Sequence, residues 1–171
     1  MFAYAACDCG YTVNDTTAAA HALFTDLFET DFLHLYHVPN STTAATTDRG
    51  KHDIGWQVQE YNISAADARS PFGKAAQLGN VAANPLDGIH DWGGSGSLGP
   101  SPGLQIWARG PGESGGQQGS LVGMGEIASE RDDMLYGSFR IGVKMSGVKG
   151  TCGAFFWVSM NTVRLTCMWQ G

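Results

Sequence analysis

Three observations predict an all-β fold. From Ser138 to Val143, the residues Ser138, Arg140 and Gly142 alternate with Phe139, Ile141 and Val143. That period of two sets an apolar row on one face of a strand and a small or polar row on the other. Ala154-Phe155-Phe156-Trp157 is an aromatic run of the kind strands favour. The chain holds 24 glycines among 171 residues and is only 15% charged, a composition of strands and turns, with no internal repeat and no heptad pattern to support a helix-rich fold. Its length fits one domain able to bury a core.

Taken in order, Met1 to Ala6 reads as a tail, too short for a signal peptide and without a basic flank. His21 to Val38 is ambiguous: Leu23, Leu27 and Phe28 suit a helical face, while Phe28, Phe32 and the Leu33/Leu35 alternation suit a strand. Asn40 to Gly50 is a Thr-rich loop. Trp56 to Ile63 interleaves polar and apolar residues and predicts one strand, after which Ser64 is placed to cap a helical turn over Ala65 to Arg69, ended by Pro71. A further strand is expected over Ala75 to Val81. Gly88 to Gly123 holds 12 of the 24 glycines and three of the six prolines and reads as loop, with Gly112 to Gly119 as a hairpin tip. Within it Leu104 to Ala108, between Pro102-Gly103 and Gly110-Pro111, is the one convincing strand. Glu126 to Trp157 then predicts two or three consecutive antiparallel strands, turned by Ser146-Gly147-Val148-Lys149-Gly150.

The net charge of −6 and the scattered basic residues do not form the footprint of a nucleic-acid or anionic-membrane binder. No apolar run reaches the ~20 residues that span a bilayer. Gly94-Ser95-Gly96-Ser97-Leu98-Gly99 matches a dinucleotide fingerprint, but Pro100-Ser101-Pro102-Gly103 follows where the phosphate-binding helix should start. No strained nucleophile elbow precedes a helix. His34 and His37 would point to opposite faces of a strand, so no metal site is expected. Cys7, Cys9, Cys152 and Cys167 permit three disulfide pairings and fit an oxidising compartment. Asn14, Asn40 and Asn62 each open an N-glycosylation tripeptide.

Carboxylates deserve separate treatment, because retaining glycosidases need two of them about 5–5.5 Å apart. Glu126 and Glu130 lie four apart, about 13 Å along a regular strand. Asp132 and Asp133 would point to opposite faces or share a turn. All four read as solvated strand edge and turn, and no Asp or Glu follows Asp133.

Ser129-Glu130-Arg131, Tyr136-Gly137-Ser138-Phe139 with Lys144, and Gly150-Thr151-Cys152-Gly153-Ala154-Phe155-Phe156-Trp157 together resemble glycoside hydrolase family 16. The similarity is greatest to its secreted fungal members, and Cys7 to Val13 resembles the start of their mature chains. The resemblance implies a concanavalin A-like jelly roll, apparently incomplete at the C-terminus, an extracellular location, and a strand over Thr30 to Leu35. It implies hydrolysis of O-glycosyl bonds in β-glucan or a related cell-wall polysaccharide, and no cofactor. By the same resemblance Tyr136, Arg140 and Trp157 fall on strands that line the cleft, and so would bind substrate. Arg140 departs from the pattern, since many bacterial relatives carry a substrate-binding Glu there. Trp56, Trp92 and Trp107 read instead as core or loop anchors.

The resemblance covers residues 7–157 and stops within one residue. The acidic catalytic strand that should follow Trp157 is missing. Val158 to Gly171 reads as a non-homologous tail, such as a shifted reading frame or a retained intron would give. Hydrolysis is therefore not expected, and the alternative is a lectin-like sandwich that binds polysaccharide without cutting it. Exposed strand edges and apolar faces should remain, and the oligomeric state is left open.

Overall fold

A computed structural model describes residues 11–12, 23–35, 38, 55–86, 99–110, 120–131, 133–158 and 162–169. Its strands are β1 (Tyr11–Thr12), β2 (Leu23–Phe24), β3 (Trp56–Val58), β4 (Tyr61–Ile63), β5 (Gly73–Ala76), β6 (Val81–Ala83), β7 (Leu104–Ile106), β8 (Leu121–Ser129), β9 (Thr151–Val158) and β10 (Thr162–Trp169). The only helices among the described residues are α1 (Ala65–Ala68) and a 3₁₀ turn at Leu78–Asn80. The fold is all-β, in mixed sheets.

β8 is the spine. On one side it pairs parallel with β5 through Leu121 to Met124 and antiparallel with β3 through Ile127 to Ser129. On the other it pairs with β10, Arg164 to Cys167 lying against Ala128 to Gly125. The 107–109 segment continues that side, joined by bonds from Arg109 N to Gly123 O and from Gly125 N to Trp107 O. β4 extends the sheet beyond β5, and β9 extends it beyond β10. β6 and β7 form a separate antiparallel pair, as do β1 and β2. Gly125 is required where these layers meet, because a Cβ there would run into the Asn80 carbonyl. The core is Leu35, Val38, Trp56, Val58, Ala83 and Ile127, covered by Phe28, Phe32, Leu104, Met134, Phe155 and others.

Several expected elements differ, each for a local reason. The Trp56 to Ile63 strand breaks at Gln59-Glu60, where Gln59 N bonds to Glu126 O, so that β3 pairs with β8 while β4 turns to β5. The strand expected over Ala75 to Val81 is two strands around the 3₁₀ turn, with Asn80 N closing on Gln77 O. Ser64 does cap α1, its Oγ accepting from Asp67 N at 3.1 Å, but the helix ends at Ala68 with Arg69 in the left-handed region. The loop expected up to Gly123 yields to β8 from Leu121 onward.

Thr30 to Leu35 is not a strand. Asp31 Oδ1 accepts from Leu33 N at 2.9 Å, Phe32 has a φ of 56°, and Asn84 captures the carbonyls of Phe32, Leu33 and Leu35. An Asx turn and a side-chain clasp replace the ladder. Phe28 and Phe32 pack instead on Trp56, with ring centroids 5.4 and 5.9 Å away.

The strand expected over Ser138 to Val143 is also absent as a strand. Residues 135–145 lie beside β9 and reach it through side chains: the Phe139 ring stacks on Trp157, and the Met145 thioether occupies the space a Cβ at Gly153 would take. Side chains are interposed where a ladder would need the backbones about 4.8 Å apart. Beyond the stop of the resemblance, β10 pairs along its whole length with β9, from Thr162↔Val158 to Trp169↔Thr151.

Candidate functional site

Of the three cleft residues expected from the sequence, Trp157 lies on β9 and Tyr136 and Arg140 on the neighbouring 134–146 segment, and all three are exposed. Trp157, near the C-terminal end of β9, donates its indole Nε1–H to Met134 O at 2.9 Å. That bond fixes the ring across the start of the 134–146 segment. Phe139 stacks on it at a centroid distance of 6.3 Å and an interplanar angle of 20°, within the range of favourable aromatic pairs. Tyr136 projects from the same segment with 93% of its surface exposed, and Trp157 keeps 41% and Phe139 38%. Arg140, next to Phe139, is exposed.

Phe139 and Trp157 form an exposed aromatic pair, with Arg140 adjoining Phe139 in the chain. Aromatic faces suit the apolar faces of sugar rings, and the guanidinium suits hydroxyl or carboxylate oxygens. Phe139 was not singled out by its sequence position, where it reads as one member of an apolar row. Alternation places it only in that row, and its partner Trp157 lies 18 residues further along the chain. Trp56, read as a core anchor, is buried and donates to Thr30 Oγ1 at 3.1 Å. Trp107 is half-buried under the Arg109 guanidinium, 5.6 Å from its ring centre. Trp92 lies outside the described residues.

The candidate carboxylates separate rather than converge. Glu126, expected at a solvated edge, is 2% exposed and accepts a 2.5 Å bond from the Tyr61 hydroxyl. β8 is covered on both edges by β5, β3 and β10, so its middle residues are interior. Glu130 is exposed and lines an open cleft of about 820 Å³ with Glu29, Asp31, His34 and Arg131. Arg131 ties up the neighbouring acids: Asp26 sits 2.7 Å from Nη1, and Asp133 takes a two-point contact from Nε and Nη2 at 2.8 Å each.

The Arg131 hydrogen bonds hold the Asp133 carboxyl below its ordinary range, and the Asp133 and Asp26 carboxylates raise Arg131 in return. The Leu33 backbone N–H, with help from His34, lowers Asp31. A general acid of a glycosidase needs the opposite displacement. Asp31 and Asp133 are thus displaced away from that role, Asp31 within the cleft and Asp133 on the Arg131 salt bridge at its edge. His34 is exposed and pairs with Asp31 at 3.3 Å, and His37 lies outside the described residues. Among the described residues no three His, Cys, Asp or Glu side chains come together to hold a metal.

Asn62 is exposed on β4, which pairs only with β5 among the described residues. Asn14 and Asn40 lie outside the described residues, as do Cys7 and Cys9. Cys152 is unbonded, and the β9–β10 register sets it against Met168 while Cys167 stands against Gly153, so the two are not directly opposed. Comparison with protein-family models, curated proteins and solved structures finds no match for this chain.

Proposed function

We propose that this chain is a non-catalytic carbohydrate-binding domain, related to glycoside hydrolase family 16 and built on its jelly roll, that holds cell-wall polysaccharide on Tyr136, Phe139, Arg140 and Trp157. The observation that carries the reading is the stacked Phe139–Trp157 pair at the surface, with Tyr136 of the same segment almost wholly in solvent. Large aromatics left exposed in a group mark an interaction surface. The residues from 134 to 171, which supply Tyr136, Phe139, Arg140 and Trp157, include no Asp or Glu to serve as nucleophile or acid. An extracellular location and glycosylation at Asn62 belong to the same proposal, supported by the exposure of Asn62 on an edge strand.

Binding to insoluble β-glucan and to soluble laminarin, measured by pull-down and calorimetry, tests the reading. Wild type should be retained, and Trp157→Ala and Tyr136→Ala should each lose about tenfold or more in affinity, as removal of a stacking aromatic does. No reducing ends should appear. Equal retention of wild type and both variants sinks the platform, and released reducing sugar sinks the non-catalytic assignment.

A further inference from the structure

We infer that the run from Ile141 to Val148 is a docking surface for a second copy of this chain, and that the protein forms a two-fold symmetric dimer through it. The inference goes beyond the carbohydrate-binding reading and does not rest on it, since Tyr136, Phe139 and Trp157 stay outside the interface.

Every residue from Leu135 to Lys149 is exposed. Within that stretch Ile141, Val143, Met145 and Val148 keep 40%, 58%, 50% and 66% of their surfaces in solvent. Single apolar residues scattered over a surface need no explanation, but four large ones within eight residues do. Eight residues span at most about 27 Å even when fully extended, so the four share the footprint of one interface whatever path the segment takes.

The size of the surface points to a copy of the chain itself. The nine exposed residues from Ile141 to Lys149 present on the order of 600 Å², and two such faces together bury about 1,200 Å², the lower bound for a stable specific pair. The backbone supplies the symmetry. Residues 138–148 belong to no ladder, and β9 beside them is the last strand of its sheet among the described residues. A partner that covers the apolar side chains must also satisfy the N–H and C=O groups it takes from water. A second copy does both. It presents a run of equal length with equally spaced side chains, and antiparallel placement about a two-fold axis sets the donors of each run against the acceptors of the other.

Sedimentation velocity on the whole chain from about 1 to 200 µM tests this, with amide hydrogen exchange followed at both ends of the range. The chain should pass from monomer to dimer as concentration rises, and the amides of residues 141–148 should exchange more slowly in the dimer. Ile141→Lys/Val143→Lys alters two exposed side chains. It should weaken dimerisation about tenfold or more while leaving the far-UV circular dichroism unchanged. Ile141→Ser/Val143→Ser takes its place should the lysine pair misfold. Leu27→Lys, at an exposed apolar residue of another segment, should dimerise as wild type does. A chain that stays monomeric throughout overturns the inference, and so does a dimer that the double variant forms undiminished. An equal loss in Leu27→Lys, or 141–148 amides that exchange as fast in the dimer as in the monomer, overturns the assignment to this face. Species that grow past the dimer with concentration overturn the closed two-fold pairing. The pull-downs with β-glucan decide carbohydrate binding separately, so either reading can fail alone.

Discussion

The two halves of the described chain handle polar and apolar groups in opposite ways. From Gly55 to Ser129 the interior contains Asn80, Asn84, Glu126 and Ser129, and each is bonded to a specific partner. Asn84 alone donates to three carbonyls of the 32–35 turn and accepts from Gly103 N at 2.6 Å. From Asp133 to Trp157 the priorities reverse. Leu135, Tyr136, Ile141, Val143, Met145 and Val148 are exposed, and the backbone of residues 135–145 makes no hydrogen bond to the described residues. The first half has the character of a scaffold, in which these four buried polar side chains are satisfied, since desolvation without a partner costs about 1–3 kcal/mol. The second has the character of a surface awaiting something to cover it.

Substitutions should therefore sort by half, with the largest stability losses around Asn84. Asn84→Ala removes four side-chain bonds at a φ of 45° and should cost about 3–5 kcal/mol in a denaturant titration. Asn84→Gly loses the same bonds but accepts the left-handed backbone, and should cost less than the alanine variant. A loss below about 0.5 kcal/mol for Asn84→Ala would show that the clasp on the 32–35 turn does not form.

Next come the buried residues of β8 and the Tyr61 that reaches it from β4. Ile127 is fully buried, and Ile127→Ala should cost about 2–4 kcal/mol. Tyr61→Phe takes from the buried Glu126 carboxylate its 2.5 Å hydroxyl donor and should cost about 1.5–3 kcal/mol, the range for hydrogen bonds to charged groups. If Tyr61→Phe proves neutral while Ile127→Ala is costly, Glu126 is reached by water and the first half is less closed than its packing implies.

Between the halves stands Arg131, with Asp26 on one side and Asp133 on the other. The Asp133 carboxyl is lowered by its bonds to Arg131, so the stabilisation from that pair is complete above the ordinary carboxylate value of 3.8. It is lost as pH falls through the lower folded value. Arg131→Gln should therefore reduce stability modestly at pH 7 and make no difference once both carboxylates are protonated. A stability gap between wild type and variant that widens on acidification would reverse the assignment.

Much of the scaffold's local grammar was legible in the sequence. Ser64 read as a helix cap and is one, and the strand at Leu104 survives between its glycine and proline punctuation. What was not legible depends on partners far away in the chain. Asn84 clasps a turn roughly fifty residues earlier, and without that clasp Thr30 to Leu35 reads as a strand. Glu126 reads as solvent-exposed until Tyr61, 65 positions away, is placed beside it. Likewise β8 begins inside a glycine-rich stretch, because its pairing is decided by β5, β3 and β10 rather than by its own composition. Tyr136, Arg140 and Trp157 were named by the family resemblance and not by local pattern, and the structure shows them exposed. The stacking of Phe139 was not legible, since strand alternation assigns it only to an apolar row.

The smallest stability effects belong to the platform, and there the contrast between the halves is sharpest. Tyr136 is 93% exposed and makes no bond among the described residues, so Tyr136→Ala should change stability by less than about 0.5 kcal/mol. Trp157→Ala breaks the bond to Met134 O and the stack on Phe139, both at the surface, and should cost about 1–2 kcal/mol. Both variants should nonetheless lose most of their polysaccharide affinity, the inverse of Ile127→Ala, which should weaken folding while leaving the affinity of the folded fraction unchanged. A large destabilisation by Tyr136→Ala would mean that the ring packs against the protein in solution. The exposed half would then be core, and the platform would not exist.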